Sequence, residues 1–148
     1  MYKRQKSSIN GTKSSEEAKI WLTDQISANE NNNGIIIFAV SSKSIASVLG
    51  YCGLTLFPNI DGATEIEIGY RLIREYWGNG YATEAAGAVR DYAFIDLKLS
   101  RLVALIEPIN QRSIGVAKKI GMSYEKHVML EGYDHPDHLY SMNNESYA

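Results

Sequence analysis

Gly78 and Gly80 bracket a single asparagine in the run Trp77-Gly78-Asn79-Gly80-Tyr81-Ala82-Thr83-Glu84. Two glycines in three residues let a backbone turn sharply and leave its N–H groups uncovered. A strand-like run, Glu65 to Ile73, precedes them, and a helix-like run, Thr83 to Leu97, follows. A helix that begins at such a turn adds its own unpaired N–H groups and the positive end of its dipole. Strand, glycine turn and helix N-terminus together make an anion site suited to phosphate or pyrophosphate. Taken alone, the turn is equally consistent with a plain loop entering a helix.

Two carboxylates lie just upstream. Glu65 and Glu67 alternate onto one face of the strand with Gly69 and Arg71, while Ile66, Ile68, Tyr70 and Leu72 take the other. A carboxylate on a strand edge can serve as a general base. Two on one face repel, which would raise the pKa of one. A solvated strand face is an equally good reading of the pair. Downstream, Asn110 reads as the N-cap of a short helix, Gln111 to Ile120, ended by Gly121, with Ser113 one turn on. Its side chain can address a ligand or simply cap.

Stepping out from these residues, the chain supplies elements at the right places. Met1 to Lys13 reads as a polar tail. Ser14 and Glu17 have capping-box spacing, and Ala18, Trp21, Leu22 and Ile26 continue a helix to about Ala28. Ile35 to Val40 is wholly apolar and β-branched and predicts a buried strand. Ser41 to Ser44 predicts a turn, and Val48 to Phe57 a hairpin partner in which Gly50 and Gly53 mark a bulge or close backbone approach. Pro58 to Gly62 predicts a loop and Thr64 to Ile73 a third strand. After the glycine turn and its helix, Leu102 to Glu107 predicts a fourth strand. Strand, helix, strand implies a parallel pair with a right-handed crossover. Met122 to Leu130 and His138 to Met142 predict a closing hairpin, and 144–148 a short tail.

A length of 148 residues with 45% hydrophobic and 22% charged residues suits one domain, placed at 14–143. A net charge of −2 leaves no broad basic field for nucleic acid or an anionic membrane. One cysteine, Cys52, excludes an internal disulfide and a multi-cysteine metal site; its apolar neighbours make it a packed residue rather than a nucleophile. No apolar run approaches the ~20 residues of a membrane span, so a soluble cytoplasmic protein is the expectation. Asp134-His135-Pro136-Asp137-His138 carries oxygen and nitrogen ligands but reads as an exposed turn, and no metal is expected.

Three features together resemble the GNAT superfamily of acyl-CoA-dependent N-acetyltransferases. The first is Glu67-Ile68-Gly69-Tyr70 leading into Trp77-x-x-Gly80-x-Ala82; the second is Asn110-x-x-Ser113-x-x-Val116 ending in Lys119-Ile120-Gly121-Met122; the third is the strand Asp137-His138-Leu139-Tyr140-Ser141. The set covers Ser14 to Asn143 and looks most like the branch containing ribosomal-protein N-terminal and spermidine acetyltransferases. The resemblance implies an α/β (α+β) fold: a mixed, mostly antiparallel central sheet with a parallel β-α-β unit and flanking helices, here without a convincing first strand.

It also implies acetyl-CoA as cosubstrate and a primary amine as acceptor: a protein N-terminus, a polyamine or a small amine. By resemblance, the backbone of Trp77, Gly78, Asn79, Gly80, Tyr81, Ala82 and Thr83 holds the pyrophosphate. The third and fourth strands splay, and the pantetheine arm pairs with the open edge at Leu72 and Ile73, aided by Asn110 and Ser113. Glu67 is the general base, with Glu65 second to it, and the Leu72 backbone N–H is the donor to the oxyanion. Ala117 stands where many relatives carry a tyrosine proposed as general acid, leaving Tyr124 or a water as substitutes. Arg112, Lys118 and Lys119 suit a solvated helix face better than contacts to a nucleotide 3′-phosphate. The resemblance allows a homodimer. A CoA-binding sensor or assembly module without catalysis, or a binder of another nucleotide on the same turn, are the competing readings.

Overall fold

The computed structural model describes residues 35–44 and 47–147. The tail and the helix expected before Ile35 lie outside the described residues. Six strands form one sheet: β1 (Ile37–Ser41), β2 (Val48–Ile60), β3 (Ala63–Leu72), β4 (Arg101–Ile106), β5 (Ser123–Val128) and β6 (Asp137–Asn143). Their order is β1-β2-β3-β4-β6-β5, and every pairing is antiparallel except β3 with β4. Helix α1 (Tyr81–Asp91) makes the crossover between the parallel strands, α2 (Gln111–Lys119) follows β4, and α3 (Asn144–Tyr147) closes the described chain. This is the mixed, mostly antiparallel sheet with a parallel β-α-β unit that the sequence implied.

β4 explains where the core sits. Its residues are apolar on both faces, as a central strand requires. Leu102, Ala104 and Ile106 join Leu54, Ile68, Ala86, Val89, Ile114, Ala117 and Tyr140 under α1 and α2. Val103 and Leu105 turn the other way, to Phe57, Ile60, Val128, Leu130 and Leu139. Full burial of a leucine such as Leu102 or Leu139 contributes about 1.5–3 kcal/mol.

Several boundaries differ from expectation for physical reasons. β1 is half-buried rather than buried, since among the described residues it pairs with β2 alone. Pro58 to Gly62 is not a loop. β2 runs on to Ile60, and Pro58 with Asn59 opposes the single residue Thr64, a bulge that tolerates a residue without an N–H. The chain then reverses on Asp61 (φ 50°) and Gly62 (φ 83°), a two-residue hairpin turn with both residues left-handed. At Gly53, the close approach expected of it is real: a Cβ there would collide with the Ile36 carbonyl oxygen.

α1 begins at Tyr81, two residues early, because Gly80 itself is the N-cap; at its end the helix loosens into a π-helical turn, Tyr92–Asp96. The residues after Asn143, read as a tail, instead dock: Tyr147 Oη donates to Asp91 Oδ1 at 2.7 Å, and Asn144 Nδ2 to the Leu99 carbonyl at 2.9 Å. Among the described residues no helix is long and apolar enough to cross a membrane.

Candidate active site

The parallel pair β3/β4 is barely a pair. Its ladder holds at one position, Glu67 opposite Val103, and nowhere beyond. From Ile68 to Leu72, β3 stays bonded to β2 but has parted from β4, so a slot opens toward the strand ends. Ligands of open α/β sheets bind in such crevices.

Backbone parity tells which groups line the slot. The Ile73 N–H donates to the Leu49 carbonyl at 2.8 Å, so it faces β2. Successive residues of a strand direct their backbone groups to opposite sides, so Leu72 and Tyr70 present theirs to the slot. Leu72 therefore turns its N–H to the slot. Ile73 does not: its N–H serves β2 and its carbonyl accepts from Tyr76 N–H at 3.0 Å.

At the slot's apex lies Glu67, 8% exposed. Where β3 leaves β4, the Leu105 N–H donates to Glu67 Oε1 at 3.4 Å. A buried backbone donor needs an acceptor, and the carboxylate supplies one at the point of splay. Glu65, two residues back, is committed elsewhere. Arg101 Nε reaches it at 3.2 Å while Arg101 Nη1 holds Glu125 at 2.8 Å, tying three strands together. The repulsion expected between Glu65 and Glu67 is thus offset by a guanidinium. The hydrogen bond from Arg101, then that from Ser141, holds the Glu125 carboxyl below its usual range.

The far end of the slot is the glycine turn. Gly78 (φ 80°) and Gly80 (φ 82°) are both left-handed, and a Cβ on either would meet no atom within 4 Å among the described residues. The side of the turn where those Cβ atoms would project is an open cradle. No side chain caps α1. Its first internal bond runs from Glu84 N–H to the Gly80 carbonyl, which leaves Tyr81, Ala82 and Thr83 N–H without an acceptor inside the helix. Asn79 folds its amide back onto the Tyr76 and Trp77 carbonyls at 3.2 and 3.3 Å, clear of the N–H groups.

The second wall is α2. Asn110 caps it by accepting from Ser113 N–H at 3.2 Å, so its Nδ2 is the end that can meet a ligand. Across the slot, Tyr70 Oη donates to the Ser113 carbonyl at 3.1 Å and so joins β3 to α2. Burial pushes the Tyr70 phenol up to about 12, which keeps it a neutral donor. At the mouth, Trp77 Nε1 donates to the Leu72 carbonyl at 2.9 Å. The Arg112 and Arg74 guanidinium carbons lie 5.3 and 5.9 Å from a Trp77 ring centroid. Neither link across the slot, Tyr70 to Ser113 or Trp77 to Arg112, was readable from spacing. Alternation put Tyr70 on the helix-facing side, but nothing named its partner.

Ala117 is buried against the helix-side core and brings no proton donor. Tyr124 is not on the slot wall: it lies on β5, with β6 between it and β4. Its hydroxyl is 2.9 Å from His127 Nδ1 and its ring stands edge-on to His138 and Tyr140. Cys52 is buried, and burial pushes its thiol up to about 12, far from a reactive thiolate.

A family model for the acetyltransferase (GNAT) domain matches residues 2–123. YkkB of Bacillus subtilis is 40% identical over 116 residues, which is 78% of this chain and 66% of that one. The uncharacterized N-acetyltransferase p20 of Bacillus licheniformis is 36% identical over 97 residues, 66% of this chain and 52% of that one. This chain thus spans less than two thirds of the length of either relative. Spermidine N(1)-acetyltransferase of Escherichia coli is 39% identical over 57 residues, 38% of this chain and 31% of that one. The crystal structure of a GNAT-family acetyltransferase from Bacillus anthracis superposes with a TM-score of 0.74 at 26% identity, covering 91% of this chain and 78% of that one.

Proposed function

We propose, since this chain belongs to the acetyltransferase (GNAT) family, that it transfers an acetyl group from acetyl-CoA to a primary amine by direct attack with both substrates bound. The observation that carries the reading is the slot itself, with a buried carboxylate at its apex and uncapped main-chain N–H groups at its mouth. Acetyl-CoA supplies the acetyl group already activated as a thioester. A diphosphate fits the open cradle at Gly78 and Gly80 and the uncapped N–H groups of Tyr81 to Thr83. Leu72 and Tyr70 of the β3 edge would hold the pantetheine arm, and Asn110 Nδ2 would offer it a donor from α2. Ile73 lines the mouth with its half-exposed side chain rather than with its backbone.

Glu67 is the base. An ammonium cannot attack, so the acceptor must lose a proton, and the carboxylate takes it through a water. The Leu72 N–H, which faces the slot, is the donor offered to the oxyanion. As the C–N bond forms the C–S bond breaks, and CoA leaves as a thiolate that takes its proton from water; with alanine at 117 and Tyr124 two strands away, the remaining rate comes from holding the two reactants in register. The acceptor is a cationic amine such as a polyamine or a peptide N-terminus. Similarity to a spermidine acetyltransferase over 57 residues supports that class.

Thiol release is the test. Incubated with acetyl-CoA and a panel of spermidine, N-terminally free peptides and small amines, the full chain should release CoA thiol in the presence of at least one amine. Tight CoA binding with no release for any amine would favour the non-catalytic module, which the alanine at 117 otherwise recommends.

A further inference from the structure

Some of the described cations are paired with carboxylates. Arg90 meets Asp91 at 2.7 Å, Arg101 meets Glu65 and Glu125, and Lys126 meets Asp61 at 2.9 Å. Arg74 and Arg112 instead share a neighbour, the Trp77 ring. Both are exposed, they come from different elements, and neither contacts a carboxylate among the described residues. What holds them is one indole. The Trp77 ring is fixed by its Nε1 bond to the Leu72 carbonyl, and it gathers the guanidinium from the turn before it and the guanidinium from the first turn of α2.

An exposed arginine stacked on an aromatic ring keeps its planar fork of donors free for an anion. Two such forks stand beside the glycine turn, on a chain whose net charge is −2. Main-chain N–H groups already serve a diphosphate at the turn, and they reach only what lies in the cradle. The other anionic group of coenzyme A is the phosphate monoester on its ribose. It carries close to two charges at neutral pH and suits a guanidinium fork.

We propose that Arg74 and Arg112, held on Trp77, bind the 3′-phosphate of coenzyme A and make the site select CoA over dephospho-CoA. The inference rests on the cofactor reading above and adds to it a subsite for one phosphate. It also replaces the expectation, for Arg112, of a merely solvated helix face.

Calorimetry on the full chain separates the two. The unaltered protein should bind CoA on the order of tenfold more tightly than dephospho-CoA, the gain of a charge-assisted hydrogen bond at an exposed site. The double variant Arg74→Gln/Arg112→Gln should bind CoA that much more weakly, with dephospho-CoA affinity unchanged. Equal affinity of the unaltered protein for the two ligands would overturn the subsite while sparing the cofactor reading. So would a variant that loses both ligands equally, since the arginines would then serve the diphosphate. Binding of neither ligand would remove the cofactor reading and the subsite with it. The comparison of ligands on the unaltered protein needs no variant, so it stands even if the double substitution unfolds the chain.

Discussion

Glu67→Gln is expected to lower kcat by about a hundredfold or more, the usual scale for a lost general base, while the affinity for CoA stays within about twofold. Glutamine has the carboxylate's shape, and its amide oxygen can still lie beside the Leu105 N–H, so the apex of the slot keeps its acceptor. What disappears is the ability to take a proton. The deficit should therefore shrink as pH rises toward the acceptor's own pKa, about 8 for a peptide N-terminus and about 10 for an alkylamine, because more of the amine is then neutral without help. A structural plug would behave differently. If Glu67 served only to satisfy a β4 amide, the variant would keep its kcat. A loss of CoA binding together with rate would mean that the slot had collapsed.

Gly80→Val is expected to weaken CoA binding by at least about a hundredfold. Two costs combine. The backbone at Gly80 has φ 82°, a region that costs an ordinary L-residue about 1–2 kcal/mol and is worse for a β-branched one. The new side chain also projects into the open cradle in front of the turn. A control isolates the second cost. Gly62, at the tip of the β2–β3 hairpin, has φ 83° and the same open surroundings. Gly62→Val should lower the melting temperature by a similar few degrees and leave CoA affinity unchanged in calorimetry. Equal loss of binding in the two variants would reduce the cradle to a matter of general stability.

The elements that hold these residues were legible in the sequence because their signals are local. β-branched runs, the strand–turn–helix order around Gly78 and Gly80, and the cap at Asn110 all stand within a few residues of one another. The alternation of Glu65 and Glu67 against Ile66 and Ile68 located two carboxylates on one face. It could not reveal their different fates, because Arg101 and the Leu105 N–H arrive from thirty-odd positions away through the crossover. The same applies to Tyr70 with Ser113 and Trp77 with Arg112: each joins β3 or its turn to α2, and only the fold brings them together. Pro58 misled for the opposite reason. It is a good local breaker, but a bulge absorbed it and the strand continued. That the Ile73 N–H turns to β2 is a matter of one residue of parity, which no composition rule fixes before the partner strand is known.

The central claim is that uncapped amides from Gly78 to Thr83 clasp the diphosphate of coenzyme A and lead its thiol down the β3 edge toward Glu67. A crystal of the full chain grown with CoA tests it most directly. Diphosphate oxygens within about 3 Å of those main-chain nitrogens, with the thiol pointing at the slot's apex, is the predicted outcome. An ordered CoA seated anywhere else, or a slot that stays closed to it at saturating concentration, would contradict the account.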